Sequence, residues 1–214
     1  MPSNRSRVLI ADDHTLVGEL CKNLLAAEFN VVGLVTNGHD LVQAADKLKP
    51  DVIVVDIAMP VLNGLDAGQQ VRKNLHGVRL LYLTMKTDPE LALEAFRRGA
   101  SGYLLKTCAA SELVIAVREV LKGTKYLSAS LRERLDYLRW ENRKTVPEAD
   151  RLTERQREVL QLLAEGKVMK EIATILSLTT RTVAFHKYRI MEALGVQSSA
   201  ELVRYAVRNH ITAA

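Results

Sequence analysis

Val52-Ile53-Val54-Val55-Asp56-Ile57-Ala58-Met59-Pro60 sets four β-branched residues in a row and ends them on a carboxylate. So short an apolar run, without alternation, is the pattern of a strand buried on both faces, as in a parallel sheet. Working outward, four comparable runs appear: Val8–Ala11 and Val31–Val35 before it, Leu80–Thr84 and Gly102–Leu105 after it. Amphipathic stretches near 14–28, 38–49, 64–75, 88–98 and 111–122 separate them, and Asn37-Gly38, Pro50, Asn63-Gly64 and Gly77 punctuate the connections. Five strands alternating with five helices predict an α/β domain, a doubly wound five-stranded parallel sheet covered on both faces. In such sheets ligands gather at the carboxyl ends of the strands.

Those ends carry chemistry. The first strand runs into Asp12-Asp13, the third into Asp56, the fourth into Thr84, and Lys106 follows the fifth. Three carboxylates brought into one pocket repel each other, and a hard divalent cation relieves the repulsion. Mg2+ suits oxygen ligands and keeps room for waters and a phosphate oxygen. A carboxylate beside such a metal can attack a phosphoryl group, with Lys106 and Thr84 suited to holding the phosphoryl oxygens by charge and by a hydroxyl hydrogen bond. Any one of these acids alone reads equally well as a helix cap or turn residue. Five suitable residues gathered at strand ends do not.

The rest of the chain changes period. Residues 123–150 read as a connector, helical in part, because Leu127, Leu131, Leu135 and Leu138 recur at helical spacing and Pro147 ends the stretch. Trp140, the single tryptophan, is placed to pack between domains or within the connector. From Leu152 the strand pattern is gone and an all-α, four-helix unit is expected. Thr153 with Gln156 forms a capping-box start, and Gly166 stops the first helix. Glu171–Leu176 is the second helix, Thr179 or Thr180 caps a third running to about Leu194, and Ser198 or Ser199 a fourth running to about Asn209. The domain limits are therefore 1–122, 123–150 and 151–214.

Composition sets bounds on function. Two cysteines, Cys21 and Cys108, have neither metal-type nor disulfide-type spacing, no run reaches the roughly 18 apolar residues of a membrane span, and the first residues lack the apolar segment of a signal peptide. A cytoplasmic protein without a membrane partner is expected. Of the net charge of +5, residues 1–122 contribute nothing (14 Lys/Arg against 14 Asp/Glu), whereas residues 151–214 carry 10 against 6. The positive excess lies where a polyanion such as DNA would be met.

The quoted motifs make residues 7–122 similar to the receiver domain of bacterial two-component response regulators, a flavodoxin-like fold. They are Ile10-Ala11-Asp12-Asp13-His14, Val54-Val55-Asp56-Ile57-Ala58-Met59-Pro60, Asn63-Gly64, Leu83-Thr84, Gly99-Ala100 and Gly102-Tyr103-Leu104-Leu105-Lys106. The resemblance implies that Asp56 accepts phosphate from a histidine kinase, that Asp12, Asp13, Asp56 and Ala58 form the Mg2+ set, and that Thr84 and Tyr103 are a switch pair. Two positions depart from the pattern: Thr107 stands where proline often follows the lysine, and Met85 stands where a small residue usually follows Thr84, so that it could narrow access to Asp56.

Leu152 to Leu160, Lys170-Glu171-Ile172-Ala173 and Thr182-Val183-Ala184-Phe185-His186 resemble the LuxR-type helix-turn-helix. With a receiver ahead of it, the chain is similar to response regulators of the NarL/FixJ type. The resemblance implies a third helix that enters the major groove. Ala184, Phe185 and Tyr188 fall near the groove side, with Lys170, Arg181, Thr182, Lys187 and Arg189 placed for DNA contact; the alternative for the basic residues is a solvated face. Val168-Met169 replaces the usual Ser-Asn, removing a helix cap. Val183, Ile190 and Leu194 face the core, and part of Leu202, Val203, Ala206 and Val207 is free to pair with a second subunit. Double-stranded DNA, a histidine kinase and a second copy of the chain are the expected partners.

An enzyme of the dehalogenase-like phosphatase type also uses a strand-end aspartate with Mg2+, but it wants a second aspartate two residues on, where Ala58 stands. A receiver serving only as a protein-interaction module, never phosphorylated, is the other alternative. The intact acidic pocket argues against it.

Overall fold

The computed structural model describes residues 5–132 and 152–212. In chain order the first part comprises β1 (Arg7–Ala11), α1 (Thr15–Ala26), β2 (Asn30–Val35), α2 (Gly38–Leu48), β3 (Val52–Asp56), α3 (Gly64–Asn74), β4 (Arg79–Thr84), α4 (Pro89–Arg97), β5 (Gly102–Leu105), a 3-10 turn Lys106–Cys108, α5 (Ala109–Leu121) and β6 (Tyr126–Leu127). All strands pair in parallel in the order β2-β1-β3-β4-β5-β6. The sheet thus has six strands rather than five. Tyr126 donates its N–H to Ser101 and Ser128 its N–H to Tyr103, each at 3.0 Å, so the start of the expected helical connector is instead a short edge strand. Residues 129–132 then begin a helical turn, and Leu131 is buried in the receiver core. Leu135, Leu138, Trp140 and Pro147 lie outside the described residues.

Side chains alternate across the sheet because successive strand residues point to opposite faces. Leu9, Ile53, Val55, Leu80, Tyr82 and Tyr103 enter the core on one face. Val8, Ile10, Val52, Val54, Leu81 and Leu83 meet α1 and α5 residues on the other. The strand order reverses between β1 and β3, and the crevice at that reversal is where a doubly wound sheet presents a ligand site. One glycine is sterically required there. A Cβ on Gly64 would lie 2.0 Å from the Asp56 carbonyl oxygen, so only glycine lets α3 begin against the end of β3.

The second part is helical: α6 (Glu154–Ala164), α7 (Met169–Ile175), α8 (Thr180–Leu194) and α9 (Ser199–Arg208). Thr153 and Gln156 form the expected capping box, and Thr179 and Ser198 cap α8 and α9. The α7 helix starts two residues earlier than the sequence suggests and ends one earlier. Val168 offers its first turn no side-chain acceptor, although Glu171 returns a hydrogen bond to the Val168 N–H at 2.8 Å. Leu160, Ile172, Val183, Ile190, Leu202 and Ala206 share one core. Among the described residues no helix is long and apolar enough to cross a membrane.

Candidate functional site

Asp12, just past β1, and Asp56, the last residue of β3, are both buried. Lys106 follows β5, and its Nζ bridges the two, 2.7 Å from Asp56 Oδ2 and 2.8 Å and 3.0 Å from the two Asp12 oxygens. Burial pushes the Asp56 carboxyl upward, and the Lys106 hydrogen bond and charge oppose this without cancelling it. Burial also works against the Lys106 ammonium, yet its hydrogen bonds to Asp12 and Asp56 prevail and the net shift is upward. Lys106 is therefore a fixed cation beside an acid reluctant to ionise.

Asp13 lies on the outer side, its carboxylate 2.9 Å from His14 Nδ1. Ligand atoms of Asp12, Asp13, His14 and Asp56 fall within 4.8 Å of one another. Asp12 Oδ2 is buried and makes no hydrogen bond, having only the ionic approach of Lys106. A buried carboxylate oxygen with spare acceptor capacity, among further carboxylates, suits a hard divalent cation. Ala58 can add only its main chain to this set; its N–H donates to Asp56 Oδ1 at 3.2 Å.

Thr84 and Tyr103 converge on one residue. The Thr84 hydroxyl oxygen accepts the Lys86 N–H at 3.1 Å, and the Tyr103 hydroxyl donates to the Lys86 carbonyl at 3.2 Å. Tyr103 is fully buried, which pushes its phenol pKa upward. Met85, between Thr84 and Lys86, is 65% exposed and sits at the surface.

In the helical part, Arg181, Ala184, Phe185 and Tyr188 follow one another at i, i+3, i+4 and i+7 on α8, hence on one face. Phe185 is 60% and Tyr188 67% exposed. Arg181 and, on α7, Lys170 and the neighbouring Val168 are exposed as well, whereas Ala184 is half-buried. The remaining candidates are already engaged. Lys187 donates to Ser199 at 2.9 Å, Arg189 pairs with Glu192 at 2.6 Å, and the Thr182 hydroxyl lies 2.8 Å from that of Thr179 in the cap. Val183 and Ile190 are buried as expected, and Leu194 packs against the same core.

The contacts that join the two parts through the first helix of the second part and the chain after α9 were not foreseen in the sequence. Gln161 of α6 and Glu165, its C-cap, reach the β3–α3 loop, Gln70 donates to Glu158 at 2.9 Å, and Lys73 pairs with Glu154. Past α9, His210 Nε2 lies 3.0 Å from Asp88, the N-cap of α4, and its Nδ1 3.4 Å from Lys86 Nζ. Gln161 and Arg157 of α6 are buried polar residues turned to this surface, and Arg157 lies 3.7 Å from Asp66. Partners on another domain leave no periodicity to read.

Comparison with known proteins agrees with this geometry. Residues 8–118 match the response regulator receiver domain, and residues 150–206 match the bacterial regulatory proteins of the luxR family. The transcriptional regulatory protein LiaR of Bacillus subtilis is 35% identical over 208 residues, which span 96% of this chain and 98% of that protein. The response regulator UvrY of Escherichia coli is 30% identical over 204 residues, 94% of each. A solved structure of RcsB from Salmonella enterica serovar Typhimurium, bound to promoter P1flhDC in the presence of phosphomimetic BeF3−, is 27% identical with a TM-score of 0.61, covering 94% of this chain and 98% of that one. The chain belongs to the response regulators, with a receiver domain followed by a LuxR-family regulatory domain.

Proposed function

We propose that a histidine kinase phosphorylates Asp56 and that this controls homodimerisation and sequence-specific binding of double-stranded DNA through α8, so regulating transcription. The observation that carries the reading is the buried Asp56 carboxylate with the Lys106 ammonium 2.7 Å from one oxygen. An Asp56 oxygen attacks the phosphorus, the bond from phosphorus to the kinase histidine nitrogen breaks, and an acyl phosphate results. Lys106, already charged and in place, meets the negative charge that gathers on the phosphoryl oxygens, and the Thr84 hydroxyl is the second group placed to take one of them. Asp12, Asp13 and Asp56, with the Ala58 main chain, would hold Mg2+, which when bound screens these carboxylates and draws charge from the phosphoryl oxygens. The site transfers one phosphoryl group to itself, so the protein acts as a switch and not as an enzyme with an outside substrate.

Engagement of Thr84 by the phosphoryl group would withdraw its hydroxyl from the Lys86 N–H, to which Tyr103 is also tied through the Lys86 carbonyl. This local exchange is where added charge becomes a change of surface. On DNA, Arg181 and Lys170 are suited to phosphates, and Ala184, Phe185 and Tyr188 to thymine methyls and groove shape. RcsB, similar over 94% of this chain, has been solved as two dimers bound to two parallel DNAs, which supports pairing on DNA here. The cytoplasm is the compartment in which such a regulator meets both DNA and kinase. The test is sedimentation and DNA binding of the full chain with and without beryllofluoride and Mg2+. Dimerisation and tighter binding are expected in the wild type and neither in Asp56→Asn; a response that survives Asp56→Asn would remove Asp56 as the switch.

A further inference from the structure

The loop between β3 and α3, residues 57–63, leads directly from Asp56, and the helical domain grips it at three points. Gln161 Nε2 donates to the Met59 carbonyl at 3.0 Å. Val61 donates its N–H to Glu165 Oε1 at 3.3 Å. Asn63 donates its main-chain N–H to Gln161 Oε1 at 2.7 Å and its side-chain Nδ2 to the same atom at 3.2 Å. Gln161 Nε2 also donates to Glu165 Oε1 at 2.8 Å, so the two gripping side chains brace each other.

Two features separate this from ordinary surface contact. Gln161 is 1% exposed, and apart from Glu165 the partners named above all lie on the receiver loop. A buried amide is costly unless satisfied, and here the receiver satisfies it. Val61, a β-branched residue, has a φ of 70°, in the left-handed region. Such a conformation persists only where its surroundings over-determine it, and one of the groups holding it is Glu165 on the other domain. At its near end the loop touches the phosphoacceptor, through the hydrogen bond from the Ala58 N–H to Asp56 Oδ1.

We propose that Gln161 and Glu165 are positioning residues for the phosphorylation site. By fixing residues 58–63 from the DNA-binding domain, they set the geometry in which Asp56 and the Ala58 main chain meet a divalent cation. Domain docking and cation binding are then linked, and by reciprocity each favours the other. This inference rests on the reading of Asp12, Asp13 and Asp56 as the cation and phosphoryl site.

The test is a calorimetric titration of the full-length protein with Mg2+ alone, without phosphoryl donor. Gln161→Ala and Glu165→Ala are expected to raise the Mg2+ Kd about tenfold, the effect typical of removing an outer support of a metal site, whereas Glu165→Gln, which keeps an acceptor for Val61, stays within about twofold of wild type. A merely structural contribution of residue 165 would not be rescued in this way. Glu165 is half-buried at the end of α6, so its variants keep the test decisive even if loss of the buried Gln161 unfolds the helical domain. Unchanged Mg2+ affinity in folded Glu165→Ala overturns the proposal alone. A wild-type chain that binds no Mg2+ overturns the site reading and this inference with it.

Discussion

At Asp56 burial and ion pairing pull in opposite directions, and burial prevails. A carboxyl whose folded pKa is raised binds its proton more tightly in the folded chain than in the unfolded one. The stability this gives is present below the ordinary carboxylate range and is lost as pH rises through the folded value. At neutral pH the ionised carboxylate is thus retained at a cost to stability. Asp56→Asn should raise Tm by roughly 2–4 °C at pH 7 in the presence of chelator, as about 1 kcal/mol would in a chain of this size. The gain should vanish toward acid pH, where the Asp56 carboxyl is protonated, so the acid limb of the Tm–pH curve steepens, and labelling by acetyl phosphate is abolished. A lower Tm would show that Lys106 needs both acids more than the fold suffers from the second. Which residues meet here was legible because Asp12, Asp56, Thr84 and Lys106 each mark a strand end. That the Lys106 ammonium bridges the two acids, and that Thr84 and Tyr103 share the main chain of Lys86, was not legible, since both depend on angles at the strand ends.

Single elements follow their sequence where caps and periods are strong. Thr153 with Gln156, Thr179 and Ser198 all start helices as read, because each supplies an acceptor for an otherwise unpaired first-turn N–H. The α7 helix is the exception. Val168 closes only the reverse half of a cap, through Glu171. Val168→Ser should stabilise the helical domain by about 0.5–1 kcal/mol, seen as a higher midpoint in urea unfolding, and an unchanged midpoint would mean that Glu171 already suffices. The β6 strand escaped the sequence reading for the opposite reason. Two residues carry no period, and Leu127 fits a helical leucine stripe as well as it fits a strand.

In the whole molecule, the helical domain docks through α6 and the segment after α9, leaving Phe185 and Tyr188 of α8 exposed. The receiver therefore does not mask these two residues in this arrangement, and control through pairing of copies fits the geometry better than steric cover. For a duplex selected from random sequence, beryllofluoride should change binding to a single half-site by no more than about threefold, and binding to two adjacent half-sites by tenfold or more, as expected when the gain is avidity. A tenfold gain on the half-site in a band-shift titration would instead demand a masked helix. The short edge strand bears on how the protein can be divided. A receiver fragment ending at residue 122 forfeits the hydrogen bonds from Tyr126 and Ser128, leaves the flank of β5 bare and removes Leu131 from its core. Bare strand flanks recruit other chains, so such a fragment invites aggregation that an assay would misread as signalling-dependent assembly. A fragment carried through residue 132 keeps its flank covered.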